Sequence, residues 1–509
     1  MNAGKPMKYT EQKNRKRRNA AKNTAGSTAN NAAAGTAGTA SGETAKNRQL
    51  ELTISDYSEE GLGIGKTDGF VWFVKDTVIG DRILAQTMKA KKNYGFARLT
   101  EVLTPSAFRT AAPCPIARQC GGCQLQQMEY AAQLSFKRDK VRGNLSRIGM
   151  VEPEILDAVT EPIVGMENPF RYRNKAQYPV AADRNGKNVA GFYAGRTHQV
   201  IACEDCLLGA AENREILDRI LRWMDANAVR PYNEESGEGS IRHILIRKGF
   251  ASGQIMVCIV VNGKQLPHAE SLVAALTEGD AQEAVPLRID SISFSVNTGR
   301  GNVIMGKETV PLYGPLYIED SIGPVRFRIS PLSFYQVNPV QTEKMYGAAL
   351  EFAGLSGTEN VFDLYCGIGT ISLFMAQRAK HVYGIEIIPE AIEDARRNAA
   401  LNGLANADFM VGAAEEVLPA WYAEHPDERI DVICVDPPRK GCDEKCLETM
   451  VQMSPEKIVY VSCDSATLAR DVKYLRAHGY ELRRVRPVDN FPETVHVETV
   501  VLMSRVEEK

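Results

Sequence analysis

The 509-residue chain reads as an α/β protein with a small N-terminal β-barrel, an α+β middle and a C-terminal doubly wound parallel sheet. Three observations predict this. From about Phe327 onward, strand-like apolar runs alternate strictly with helical stretches, the pattern of parallel strands joined by helices. Residues 49–106 instead carry short alternating apolar runs broken by glycines, as in a small closed sheet. Between the two, runs such as residues 241–247 and 255–261 read as strands, and residues 213–227 read as a helix.

The first 48 residues hold Lys13, Arg15, Lys16, Arg17, Arg18 and Lys22 among Ala, Asn, Thr and Gly. This composition predicts a disordered basic tail able to contact phosphates without reading sequence. In the barrel segment, Lys89, Lys91, Lys92 and Arg98 are interleaved with Tyr94 and Phe96, a mixture suited to phosphate contact and base stacking. The string CPIARQCGGC at 114–123 follows, then a helical stretch at about 128–148. No internal repeat is visible. The predicted divisions are 1–48, 49–106, 107–325 and 326–509.

A formal net charge of −2 carries no signal for or against nucleic acid, whereas 44% hydrophobic residues allow sizeable cores. No apolar run approaches the roughly 18 residues of a spanning helix. The basic N-terminal region has no hydrophobic run behind it, so no secretory signal is read there. A cytoplasmic protein without a membrane partner is expected, and no obligate protein partner is evident. In that setting the 11 cysteines read as metal ligands, catalytic groups or buried hydrophobes rather than disulfides.

Cys114, Cys120 and Cys123, with Gly121 and Gly122 between the last two, are spaced to hold a soft metal centre. A fourth thiolate must come from elsewhere, and Cys203 and Cys206 are the candidates. Four thiolates also suit structural zinc. Radical-forming iron–sulfur enzymes place three residues between their first two cysteines, whereas five stand here.

Further on, NVFDLYC at 360–366 reads as a buried strand ending in a turn with Gly367 and Gly369. Glycines there let backbone close on a ligand, and the following helix offers free N–H groups. HVYGIE at 381–386 is a second strand ending in an acid placed to accept from ribose hydroxyls. A dinucleotide fold shares this order, but Ser372 occupies the position of its third glycine. DPPRKG at 436–441 adds a proline-stiffened strand end, and Cys463 ends the strand-like run at 458–462. Carbon 5 of a uracil is a poor nucleophile until a thiolate adds to the neighbouring ring carbon. A strand-end cysteine beside a methyl-donor pocket is equipped for that addition.

Residues 363–370 and 436–441, with SFYQVN at 333–338, resemble the motifs of S-adenosylmethionine-dependent RNA uridine methyltransferases. The resemblance implies that Gln336, Tyr365, Glu386 and Asp436 line the cofactor pocket. It also implies Cys463 as nucleophile, in SCDSATLARD at 462–471, and Glu498 as general base, in HVET at 496–499. Ala413 departs from the Asp or Asn many members carry near the adenine. Arg439 stands where amine methylases carry an aromatic residue. Residues 49–106 resemble the TRAM domain, an OB-like RNA-binding barrel, and FRYRNK at 170–175 resembles the family's RNA-contacting stretch. The cysteine string is similar to that of bacterial 23S rRNA uracil-5-methyltransferases. By that resemblance Cys114, Cys120, Cys123 and Cys206 hold a [4Fe-4S] cluster, with Cys206 favoured because the last ligand precedes a short apolar run. The implied activity is methylation of a 23S rRNA uridine at carbon 5 through a covalent cysteine adduct. The alternatives are a tRNA uracil-5-methyltransferase, a cytosine-5-methyltransferase and a non-catalytic iron–sulfur RNA-binding protein.

Overall fold

The computed structural model describes residues 47–195, 197–278 and 287–506, so the predicted basic tail lies outside the described residues. Strands β1 (Gln49–Tyr57), β2 (Gly63–Thr67), β3 (Phe70–Val74), β4 (Arg82–Ala90) and β5 (Tyr94–Thr104) close a barrel in the order β1-β2-β3-β5-β4. Its inward residues alternate along each strand and include Leu52, Ile54, Trp72, Val74 and Ile83. Gly95 is required by Trp72, because a Cβ there would stand 2.3 Å from the indole ring. Trp72 is enclosed by the barrel and has no room to swing. Gly95→Ala is therefore expected to destabilise the protein by about 1–3 kcal/mol. A lower urea midpoint at unchanged slope would register it.

Helices α1 (Tyr130–Arg147) and α2 (Pro153–Val159) follow the cysteine string. The middle then builds a seven-stranded sheet from β6 (Lys175–Ala182), β7 (Asn188–Tyr193), β8 (Val200–Ala202), β9 (Ile241–Lys248), β10 (Ile255–Val261), β11 (Ser291–Val296) and β12 (Glu308–Tyr313). Its order is β12-β11-β10-β9-β6-β7-β8. Helices α3 (Asn213–Ala226) and α4 (Ala269–Thr277) pack on one face through Ile216, Ile220, Leu272 and Leu276. The other face of β9 and β10 packs, through Leu245, Met256 and Cys258, against the hairpin β13 (Ile318–Ile322)–β14 (Val325–Ile329) and helix α5 (Pro339–Ala353). Burial on both faces explains why residues 255–261 form an unbroken apolar run.

The C-terminal sheet comprises β15 (Asn360–Leu364), β16 (His381–Glu386), β17 (Ala407–Val411), β18 (Val432–Val435), β19 (Lys457–Ser462), β20 (Tyr480–Val488) and β21 (Glu498–Arg505). Helices α6 (Thr370–Ala376) and α7 (Pro389–Leu401) join α5 on one face. Helices α8 (Ala414–Glu424), α9 (Glu444–Met453) and α10 (Ser465–Ala477) cover the other. The order is β17-β16-β15-β18-β19-β21-β20, so strand order reverses between β15 and β18. In open α/β sheets the crevice at that reversal, outside the strand C-termini, is where ligands bind.

The strict alternation expected from Phe327 onward is corrected at both ends. Phe327 lies in the β13–β14 hairpin, before the sheet begins. At the C-terminus no helix separates β20 from β21, so β21 inserts antiparallel between β19 and β20. The helix after the cysteine string packs onto the C-terminal layer: Val141 and Leu145 of α1 share a core with Leu468 and Val472 of α10. The described residues form one compact unit.

Candidate active site

Four strand C-termini supply the crevice. Tyr365, just past β15, has a left-handed backbone (φ 70°), a strained state for a non-glycine residue that clusters at ligand sites. Gly369 (φ 82°) follows, and a Cβ on it would crowd Ala395 and Phe409. Glu386 ends β16 and clamps the turn, accepting from the Gly367 N–H at 3.2 Å and the Ile388 N–H at 3.0 Å. Gln336, 8% exposed, approaches from the segment before α5, and its Oε1 accepts from Asn490 Nδ2 at 3.4 Å. Asp436 follows β18. Asp363, wholly buried, accepts from Ser372 Oγ on one oxygen and has no partner on the other.

Burial pushes Asp436 up to about 7. Burial, with Asp436 nearby, takes Asp363 to about 7 against the Ser372 hydrogen bond. The same two causes take Glu498 to about 8, and Arg439 opposes them. Three carboxyls crowded in one crevice fit a ligand that carries positive charge.

Cys463 follows β19 directly. Ser462 pairs with Thr499 across the antiparallel β19–β21 ladder, so one further step sets Cys463 opposite Glu498. Glu498 is 3% exposed, whereas the cysteine is half-buried and open to the crevice. Asp464 caps α10, accepting from the Ala466 and Thr467 N–H groups at 3.0 Å, which fixes the strand-to-helix turn carrying the thiol. Burial first, then Glu498 and Asp436, pushes that thiol up to about 12, while Arg439 pulls it back.

Residues 315–506 match the family described as tRNA (Uracil-5-)-methyltransferase, and residues 43–100 match the TRAM domain. An uncharacterized RNA methyltransferase of Halalkalibacterium halodurans is 48% identical over 458 residues, 90% of this chain and 97% of its own. The chain belongs to the RNA (uracil-5-)-methyltransferase family. One relative from Listeria monocytogenes is 46% identical over 458 residues, covering 90% of this chain and 98% of its own. The crystal structure of Pyrococcus abyssi tRNA (uracil-54, C5)-methyltransferase in complex with S-adenosyl-L-homocysteine superposes with a TM-score of 0.70 at 25% identity. It covers 89% of this chain and 100% of that one. The protein is thus an enzyme that transfers a methyl group from S-adenosylmethionine to RNA.

On the methyltransferase's barrel, Phe73, Tyr94 and Phe96 form a half-buried aromatic group with ring centroids 5.6–5.8 Å apart. Lys91 stands 5.0 Å over the Tyr94 ring, and Lys89 and Lys92 are exposed beside it.

The basic stretch at 170–175 is less open than its sequence suggests. Arg171 pairs with Asp205 at 2.6 Å and donates to the Cys206 carbonyl at 3.0 Å. Tyr172 is buried, and burial together with Arg247 lowers Lys175 to about 8. Arg173 lies over the Tyr172 and Phe491 rings, 5.6 and 5.9 Å from their centroids.

Among the described residues, no three His, Cys, Asp or Glu side chains stand in a metal-holding arrangement. The cysteines do converge: Cys114, Cys120 and Cys123 each feel the charge of Cys206. A hydrogen bond from Cys203 holds Cys206 down to about 6, and Cys203 itself is buried.

Two further groups lay outside the sequence reading of the site. Phe334, 71% exposed, and Leu332 present apolar side chains to solvent just before Gln336, while Tyr335 between Phe334 and Gln336 is buried. That in–out alternation of an extended segment was the available signal. The Arg439 charge acts on Cys463, Glu498 and His496 alike, and its signal was its place in the DPPR turn.

Proposed function

We propose that the methyltransferase acts on carbon 5 of a uridine in 23S rRNA through a covalent adduct with Cys463. The observation that carries the mechanism is the position of Cys463 and Glu498 one step beyond the Ser462–Thr499 pair of the β19–β21 ladder, where Glu498 and Asp436 both act on the thiol. Gln336, Tyr365, Glu386 and Asp436 are assigned to the cofactor. S-adenosylmethionine, when bound, supplies a methyl group activated by a positive sulfur.

The target base must leave its stack to reach a half-buried thiol. Cys463 adds as thiolate to ring carbon 6, which makes carbon 5 the nucleophile that takes the methyl group. Glu498 then removes the carbon 5 proton as the carbon–sulfur bond breaks and Cys463 leaves as thiolate. The Arg439 charge favours the thiolate at the first step. Phe334 and the aromatic–lysine face of the barrel are assigned to RNA stacking and phosphate contact. We assign the reaction to the cytoplasm, in keeping with a cellular RNA substrate.

We assign a [4Fe-4S] cluster to Cys114, Cys120, Cys123 and Cys206, a reading supported by the spacing of the string and by the influence of the Cys206 charge on all three of its thiols. Cys206→Ser is expected to lose iron and visible absorption in protein prepared without oxygen, while Cys203→Ser keeps both. Stoichiometric zinc without iron in the native protein would contradict this.

The tRNA reading is favoured by one observation: the structural match of near-full length is to a tRNA (uracil-54, C5)-methyltransferase. Mapping 5-methyluridine in both RNAs, from cells with and without the gene, decides. Loss from 23S rRNA with tRNA unchanged is expected, and loss from tRNA alone would transfer the assignment.

A further inference from the structure

We propose that Gln133 and Lys137, on the helix that follows the cysteine string, are positioning residues for the segment that carries Glu498. The proposal rests on the reading of Glu498 as the base and deepens it. Residues 489–497 form neither helix nor strand, yet they lead directly into Glu498. The β20–β21 ladder fixes the Glu498 backbone opposite Val488, but the loop that closes this pair is fixed only by what it touches outside the sheet.

Two side chains of α1 do so from within the core. Lys137 and Asp489 are both wholly buried and pair at 2.5 Å. Lys137 Nζ also donates to the Phe491 carbonyl at 3.0 Å. Tyr130, one turn before Gln133, donates to the other Asp489 oxygen at 2.9 Å. Gln133 exchanges two hydrogen bonds with Glu493, donating from Nε2 to Oε2 at 3.1 Å and accepting the backbone N–H at Oε1 at 3.2 Å. Glu493 has a left-handed backbone (φ 66°), so its conformation is imposed from outside. Its carbonyl accepts from the Gln124 and Leu125 N–H groups at 2.9 and 3.0 Å, the residues directly after Cys123. Beyond it, Thr494 Oγ1 donates to the Phe491 carbonyl and accepts the His496 N–H.

A buried ion pair is a poor device for stability, because desolvation offsets the attraction, but it fixes geometry closely. Glu498 needs that geometry only when it takes the carbon 5 proton, a step at which a displacement of about 1 Å can cost about 10²-fold. Methyl transfer depends instead on Cys463 and the cofactor crevice, which neither Gln133 nor Lys137 hydrogen-bonds and which the loop meets through a long hydrogen bond, Asn490 Nδ2 to Gln336 Oε1 at 3.4 Å. Disturbing Gln133 or Lys137 thus slows the last step selectively.

The test uses the full-length enzyme and the RNA it methylates, with single-turnover methyl transfer and the lifetime of the protein–RNA adduct measured separately. Gln133→Leu and Lys137→Met are expected to transfer methyl within about twofold of wild type and to resolve the adduct about tenfold more slowly or worse. Adducts that resolve at the wild-type rate in both folded variants overturn the proposal. So does an equal loss of both steps with a lowered melting temperature, which assigns the two residues to stability alone. Should Lys137→Met not fold, Gln133→Leu, which strands no charge, decides; failure of both to fold also overturns the proposal. Glu498→Gln, run alongside, separates the two claims: if it accumulates no adduct, the reading of Glu498 falls and this inference with it. If it does and the α1 variants do not, only the inference falls.

Discussion

Cys463→Ala is expected to abolish methyl transfer and covalent capture of RNA together, lowering turnover by at least about 10³-fold. The substitution removes one sulfur from a half-buried position at a strand end, so the fold should survive with a stability change of about 1 kcal/mol or less. Without the thiol there is no electron-rich carbon 5, and neither cofactor binding nor base flipping compensates. Labelled methyl donor, with nucleoside analysis of the RNA and denaturing gels of the protein, reads both losses. Full turnover by this variant would remove the covalent route.

Glu498→Gln should separate the steps that Cys463→Ala removes together. The amide keeps the shape of a side chain that is 3% exposed but cannot accept the carbon 5 proton. Methyl transfer should proceed and product release fall by about 10²–10⁴-fold, so methylated protein–RNA adduct accumulates. The pH dependence follows from the same group. Burial and Asp436 raise Glu498 to about 8, so below that pH it is mostly protonated and unable to act as base. Release by the wild-type enzyme should therefore rise with pH, about tenfold per unit, and level off near pH 8. The Gln variant should lose that slope. A release rate that falls as pH rises through this range would contradict the assignment.

The residues assigned to the cofactor and to catalysis could be picked out because most sit at strand ends, and strand ends show in sequence. Tyr365, Glu386, Asp436 and Cys463 each close an apolar run. What adjoins those runs in space was only partly readable. The insertion of β21 between β19 and β20, which sets Glu498 opposite Cys463, follows from a strand pair without an intervening helix. No periodicity announces that pairing. The basic stretch at 170–175 misled for a related reason. Charge in a sequence reads as solvent exposure, but Arg171 is spent on Asp205 and Lys175 lies beneath Arg247. Lys137 and Asp489, 352 residues apart and wholly buried, gave no sign of each other, since buried charge is legible only when its partner is known. The cysteine string was readable as a set from its spacing, while the choice between Cys203 and Cys206 depends on how the loop after β8 turns.

The central claim is that Cys463 becomes covalently joined to the uridine it helps to methylate. It is tested most directly with RNA carrying 5-fluorouridine in place of uridine. Fluorine at carbon 5 leaves no proton for Glu498 to remove, so the adduct formed after methyl transfer has no exit. Mass spectrometry of the wild-type enzyme incubated with this RNA and S-adenosylmethionine should show protein, RNA and one added methyl group in a single covalent species. Proteolysis should place the nucleotide on the peptide containing Cys463. A preparation that makes 5-methyluridine in ordinary RNA, yet forms no adduct with the fluorinated RNA or forms it on another residue, would contradict the account.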